Sequence, residues 1–181
     1  MTVKSFAKIN LGLEIVGKRP DGYHDIRTLF QTISLCDEID LEPAPPGVIE
    51  LAGDDPRIAW DRTNLVDRAA RKVLEKAGPE AGARIAVRKS IPAGGGLGGG
   101  SSNAAATLIA LDRMWGSGLG ESGLAGLAGS LGADVPFFLI GGLCLGEGIG
   151  DRLTPLADLA PLPCLLVFPP VSIPTPSIYA G

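Results

Sequence analysis

The chain has 181 residues, 45% of them hydrophobic, and a mean hydropathy of +0.26, enough apolar material for one domain with a sizeable core; its 26 glycines and 15 prolines do not make it a disordered chain. A formal net charge of −4 leaves no global basic field, so nucleic acid is not an expected partner. A single histidine, His24, excludes HExxH zinc sites, and Cys36, Cys144 and Cys164 form no CxxC pair, so they are expected as buried reduced thiols.

Near the start, Lys8 and Asn10 interrupt what would otherwise be a signal-peptide core. The weakly polar run from Val135 to Gly146 is too short and too glycine-rich for a membrane span. A soluble, cytoplasmic protein is the expectation. From Ala7 to Ile15 the odd positions are apolar and Lys8, Asn10, Gly12 and Glu14 fall between them, the period of a half-buried strand that places Lys8 and Asn10 on one face. GKRPDGY follows as a turn, and a second strand runs from about Thr28 to Glu42 before the proline cluster at 43–46.

Residues 43–63 read as a loop with a short strand near Val48 to Leu51. Thr63 and Asn64 cap a helix along LVDRAARKVLEKA, whose stripe of Val66, Ala69, Ala70, Val73 and Ala77 stops at Gly78-Pro79. A strand is expected over Arg84 to Ile91, then a helix over Ser101 to Trp115 with Ser101 or Ser102 as its cap, then a helix over Ser122 to Leu131. VPFFLIGGLCLG and the later CLLVF read as buried strands. Irregularly mixed strands and helices with hairpins point to an α+β fold.

Between the predicted strand over Arg84 to Ile91 and the helix that follows lies PAGGGLGGGSSNAAA, with six glycines among the seven residues from Gly94 to Gly100. A strand feeding a bare loop and a helix start directs unpaired N–H groups and the positive end of the helix dipole at one point, which makes an anion site. Glycine lets the backbone approach a phosphate and adopt positive φ, and the serine hydroxyls are ligands for phosphate oxygens or magnesium. The P-loop pattern is excluded, because Gly100 rather than lysine precedes Ser101. Gly94, Gly96 and Gly99 formally match GxGxxG, but no acidic residue ends a second strand downstream, since Asp112 falls inside the predicted helix; dinucleotide binding stays a weak alternative.

The loop, together with FAKINLGL, RPDGYH at 19–24, LGADVPFF at 131–138 and SIPTP at 172–176, resembles the GHMP kinases, the superfamily of galactokinase, homoserine, mevalonate and phosphomevalonate kinases. The motifs match best the member that phosphorylates a cytidine-diphosphate-linked methylerythritol in non-mevalonate isoprenoid synthesis. The resemblance implies an α+β fold, a ribosomal-protein-domain-like α/β sandwich with a left-handed βαβ unit, and ATP with Mg²⁺ as cofactors. It implies Asp134 as the base for the acceptor hydroxyl and Lys8 as the cation that stabilises it and the migrating phosphoryl group. ATP would lie on Pro92, Ala93, Gly94, Gly95, Gly96, Leu97, Gly98, Gly99, Gly100, Ser101 and Ser102, with Asn64, Leu65 and Lys89 near the adenosine. The substrate would meet Asn10, Tyr23, His24, Thr175 and Tyr179, the aromatic rings holding the cytosine.

The resemblance further implies a nucleotide-binding domain over residues 1–160 and the start of a second domain at 161–181, whose remainder forms the other wall of the cleft. A missing C-terminal half or self-association is therefore an expected partner. Two other functions stay open: a nucleotide-binding module without catalysis, and a GHMP kinase for another small alcohol.

Overall fold

Antiparallel pairing around one long strand organises the chain in a computed structural model that describes residues 1–20 and 22–168. Strand β2 (His24–Pro43) pairs along one edge with β1 (Thr2–Lys18), from Lys18↔His24 to Thr2↔Asp40. Its other edge is shared by β4 (Ala83–Arg88), which takes Glu38 to Pro43, and β5 (Leu143–Gly148), which takes Ile26 to Gln31. Strand β3 (Ile49–Gly53) joins β4 in parallel and β6 (Arg152–Leu156) closes a hairpin with β5, completing a six-stranded sheet. Helix α1 (Leu65–Leu74) carries the crossover between the parallel strands; α2 (Gly99–Trp115), α3 (Gly120–Leu131) and the short α4 (Phe137–Ile140) lie between β4 and β5. The mixed α+β class is as expected.

One face of the sheet is dry. Ile39, Leu41, Ile85 and Val87 meet Val66, Ala69, Ala70 and Val73 of α1 and Ala104, Ala105, Leu108 and Leu111 of α2 in one core. The opposite face is polar: across the β2–β4 ladder Glu38 stands opposite Arg88, and Arg88 binds both Glu38 and Asp40, while Arg84 pairs with Glu50. Leu108 is fully buried on the α2 face. Leu108→Ala is expected to lower stability by about 2–5 kcal/mol, read as a lower denaturant midpoint at unchanged slope.

Helix α1 forms where the local signals put it, with the Asn64 side chain accepting from Val66 N at 2.9 Å, although it ends at Leu74 rather than near Gly78. Other expectations are corrected. Register shifts in β1 between Phe6 and Lys8 and between Asn10 and Gly12 disturb its simple alternation, and Leu11, Leu13 and Ile15 end up exposed on an edge strand while Lys8 is buried. VPFFLIGGLCLG is not one strand: Pro136 opens the short helix α4, Gly141 and Gly142 at φ 71° and 66° break it, and β5 begins only at Leu143. CLLVF at 164–168 is exposed and forms no strand. Of the cysteines only Cys144 is buried; Cys36 is half-buried and Cys164 exposed, all three unbridged.

Candidate active site

The glycine loop is tied down at both ends and bare in the middle. At its start, the Asp37 carboxylate on β2 accepts from Ser90 N at 2.7 Å and Ile91 N at 2.8 Å. Further on, Leu97 O accepts from Lys8 N at 2.9 Å, stitching β1 to the loop. Gly94, Gly96 and Gly98 have φ of 75°, 70° and 70°, a region L side chains rarely adopt. Gly98 is also the helix cap, which corrects the expected serine cap: α2 starts at Gly99, with no side-chain cap and no acidic residue in its first turn. The first amides of α2 therefore have no partner within the helix, and no local negative charge offsets the dipole.

The serine lost the cap because its hydroxyl is engaged elsewhere. Ser102 Oγ accepts from Ser5 Oγ at 2.8 Å and donates to Phe6 O at 2.6 Å, so this buried side chain faces β1 and lies outside the cavity it was expected to line. Asn103 continues the seam, its amide donating to Ser5 Oγ at 2.8 Å. Ser101, by contrast, lines the cavity.

Across from the loop, Lys8 and Asp134 face each other. Asp134 sits between α3 and α4, held by the fully buried Val135 and Phe137 on its C-terminal side. Its Oδ2 is 3.8 Å from Lys8 Nζ; the lysine side chain is 7% exposed and the aspartate 39%, so only the carboxylate is open to solvent. Lys8 Nζ donates to Asn10 Oδ1 at 2.7 Å and stands 5.2 Å from the centroid of the Phe30 ring. Asn10 is itself oriented, its Nδ2 donating to Thr28 Oγ1 at 2.7 Å, which donates on to Gly12 O at 2.8 Å. Burial pushes the Lys8 ammonium below the ordinary lysine value of 10.5, and the nearby charge of Asp134 opposes that shift.

These groups share one cavity of about 720 Å³. It brings together Lys8, Asn10 and Asp134, the whole loop from Pro92 to Gly100, and Asn64, Leu65 and Lys89. It does not include Tyr23 or His24. These lie at the far end of the β1–β2 hairpin, where Tyr23 is 60% exposed and His24 pairs with Lys18. Thr175 and Tyr179 lie outside the described residues. Sequence reasoning missed an apolar wall, Ile58 and Trp60, which comes from the loop before α1; the Trp60 indole N–H donates to Asp55 O at 3.0 Å and its ring covers Gly53, where a Cβ would come within 2.2 Å. No periodic signal marks a loop residue, but a tryptophan four residues before a helix cap was the available hint.

Among the described residues no group of three or more acidic, histidine or cysteine side chains gathers to hold a metal, and no helix is long and apolar enough to cross a membrane. Residues 64–142 match the family described as GHMP kinases N terminal domain. The mixed α/β sheet fold agrees with the fold of that domain. Over nearly its whole length the chain is similar to the N-terminal part of proteins named 4-diphosphocytidyl-2-C-methyl-D-erythritol kinase. It is 45% identical over 179 residues to that of Pelotomaculum thermopropionicum, covering 99% of this chain and 62% of the relative, and 47% identical over 175 residues to that of Aromatoleum aromaticum, covering 97% and 61%. A crystal structure of 4-(cytidine 5'-diphospho)-2C-methyl-D-erythritol kinase superposes with a TM-score of 0.87 at 44% identity, over 99% of this chain and 63% of the other. The Methanococcus jannaschii mevalonate kinase, at TM-score 0.65 and 17% identity, shares the fold over 87% of this chain and 56% of its own. The chain thus spans under two thirds of the length of these relatives.

Proposed function

We propose that the protein to which this chain belongs transfers the γ-phosphoryl group of ATP to the 2-hydroxyl of 4-diphosphocytidyl-2-C-methyl-D-erythritol. The observation that carries the reading is the Lys8–Asp134 pair standing over the glycine loop in one cavity, in a chain about 45% identical to kinases named for that substrate. The cavity suits a triphosphate: amides without side chains, a helix start without acidic residues, and the ammonium groups of Lys8 and Lys89 on its lining. Mg²⁺ suits it as a metal carried in on phosphate oxygens, because Asp134 is the one carboxylate on the lining among the described residues and Ser101 offers a hydroxyl on the same lining.

ATP with Mg²⁺ supplies the phosphoryl group and part of its charge neutralisation; the chain supplies position and proton handling. Asp134 accepts the proton of the acceptor hydroxyl through its open carboxylate. Lys8, held by Asn10 and Phe30, fixes that carboxylate and offers positive charge where negative charge accumulates. Loop amides from Gly94 to Ser101 grip the phosphate oxygens, and Trp60, Ile58 and Leu65 make a dry wall for the flat base. On the exposed hairpin end, Tyr23 and His24 take the cytidine side, with Thr175 and Tyr179 as further contacts. Localisation in the cytoplasm and completion of the cleft by a C-terminal half belong to the same proposal.

The test is phosphoryl transfer from labelled ATP by the full-length protein, offered methylerythritol cytidine diphosphate, homoserine and mevalonate in parallel. Preference for the cytidine compound by about a hundredfold or more in kcat/KM is expected, since a site built around a base's hydrogen-bonding groups rejects acceptors lacking them. Nucleotide binding without transfer to any of the three would instead favour a non-catalytic module.

A further inference from the structure

Among the described residues, one carboxylate that never reaches the cavity gathers four hydrogen-bond donors. Asp37, on β2, is fully buried and absent from the cavity lining, yet it binds two segments that form the site, residues 89–91 and α2. Its Oδ1 accepts from the amides of Ser90 and Ile91, where β4 turns into the glycine loop. Its Oδ2 accepts from Asn103 Nδ2 at 2.9 Å, on the second turn of α2, and from Lys89 Nζ. Lys89 also donates to Asn103 Oδ1 at 3.1 Å, and its Nζ lies 3.2 Å from where a Cβ on Gly99 would stand, directly beside the start of α2.

We infer that Asp37 is a positioning residue for nucleotide binding, fixing the start of the glycine loop, the Lys89 ammonium and the first turns of α2 in one frame; the inference rests on the reading of residues 92–101 as the ATP loop. The chemistry demands a carboxylate. All four partners are donors, and only an ionised carboxyl is acceptor-only with lone pairs for four of them. An asparagine of the same shape turns its NH₂ either on the two loop amides or on Lys89 and Asn103, so one pair of donors loses its acceptor whichever way the amide lies. The uncompensated ammonium of Lys89 would then be left beside Gly99 at 7% exposure. An ammonium has three N–H groups; Asp37 and Asn103 use two, and the third serves the cavity that Lys89 lines.

A carboxylate this buried could be purely structural, and the molecule contains its own control. Asp67 in α1 is also buried, but it is bound within its own helix, by Arg71 at 2.6 Å. The experiment measures the Kd of a fluorescent non-hydrolysable ATP analogue, and KM for ATP and for the acceptor, in full-length wild type, Asp37→Asn, Asp37→Glu and Asp67→Asn, at a temperature where circular dichroism shows each folded. Asp37→Asn is expected to weaken the analogue about tenfold or more and raise KM for ATP, with KM for the acceptor within about twofold, because misplacing a loop by a fraction of an ångström is felt by its ligand alone. Asp37→Glu keeps four acceptor sites but pushes them out by one methylene; it carries the test if the asparagine variant does not fold, with a loss of about threefold or more. Asp67→Asn should lower Tm and leave the Kd unchanged. Wild type that fails to bind the analogue overturns the reading of the loop and this inference with it. Tight wild-type binding that persists unchanged in a folded Asp37 variant, or that falls equally in Asp67→Asn, overturns this inference alone.

Discussion

Asp134→Ala and Lys8→Ala in the full-length protein should each reduce turnover by about a thousandfold or more while changing nucleotide affinity by less than about threefold. The aspartate is the one cavity carboxylate among the described residues and is 39% exposed, so its removal takes away the proposed proton acceptor without opening the loop. Lysine 8 is different, because it is packed. Its ammonium lies against Phe30 and Asn10, and truncation leaves a void there, so Lys8→Met is the companion that keeps the volume and removes the charge. Single-turnover transfer beside an analogue titration separates chemistry from binding. Near-native turnover in either aspartate or methionine variant would refute the assignment.

Titration adds a second, independent readout of the same pair. Burial lowers the folded pKa of Lys8 below 10.5, so its proton leaves at a lower pH than from an unfolded lysine, and activity should decline on an alkaline limb that begins below that value. Since the unfolded chain holds the proton more tightly, this group's contribution to folding stability grows as pH rises through the folded pKa and levels off near the unfolded one. Asp134→Asn removes the charge that opposes the shift, so whatever residual activity remains should show its alkaline limb moved to lower pH. An unmoved limb would mean that another group sets it.

How much of this site the sequence disclosed depends on how local each cause is. Asn64 caps α1 through its neighbour Val66, two residues away, and that helix was readable with its stripe. The bare loop and the shared face of Lys8 and Asn10 were equally readable, since glycine content and strand period are local facts. Ser102 failed as a cap because partners about a hundred residues distant, Phe6 O and Ser5 Oγ, took its hydroxyl, leaving Gly98 to turn the chain. Leu11, Leu13 and Ile15 have a perfect buried-strand period but sit on an edge strand interrupted by bulges, a matter of topology. The pairing of Lys8 with Asp134 came from family resemblance alone, because no spacing rule joins two residues so far apart. Asp37 gave no signal either: an aspartate in a strand reads as solvent-facing until the loop amides that need it are in view.

β1 connects these observations. Within six residues it supplies Ser5 to the α2 seam, the Lys8 amide to the loop, the Lys8 ammonium to Asp134 and Asn10 to orient that ammonium. The proposed phosphate grip and the proposed proton acceptor are thereby referred to one strand. A disturbance of the loop where it meets β1 should consequently damage both.

Gly98→Ala is the substitution that makes that disturbance. At φ 70° an alanine takes on the left-handed penalty, about 1–2 kcal/mol. Its Cβ would also stand 2.5 Å from Phe138 Cζ and 3.2 Å from Lys8 Cγ, so either the ring or the lysine stem must move, adding about 1–3 kcal/mol of overpacking. Because Gly98 caps α2, the shift carries the first amides of the helix with it, and analogue binding should weaken by about a hundredfold. Gly96→Ala, with the same φ of 70° and nothing within 4 Å of its Cβ, isolates the backbone contribution and should lose only the smaller part of the stability. Gly100→Ala separates helix propensity from both: its φ lies outside the left-handed range, its nearest neighbour is Leu65 Cδ1 at 3.9 Å, and in the first turn of α2 alanine should hold or raise Tm. Thermal unfolding and analogue titration of the three variants, compared with wild type, read the two effects apart. The expected order of Tm is Gly100→Ala above Gly96→Ala above Gly98→Ala, and a Gly98→Ala protein with wild-type Tm and wild-type affinity would show that the loop neither caps the helix nor holds the nucleotide as described.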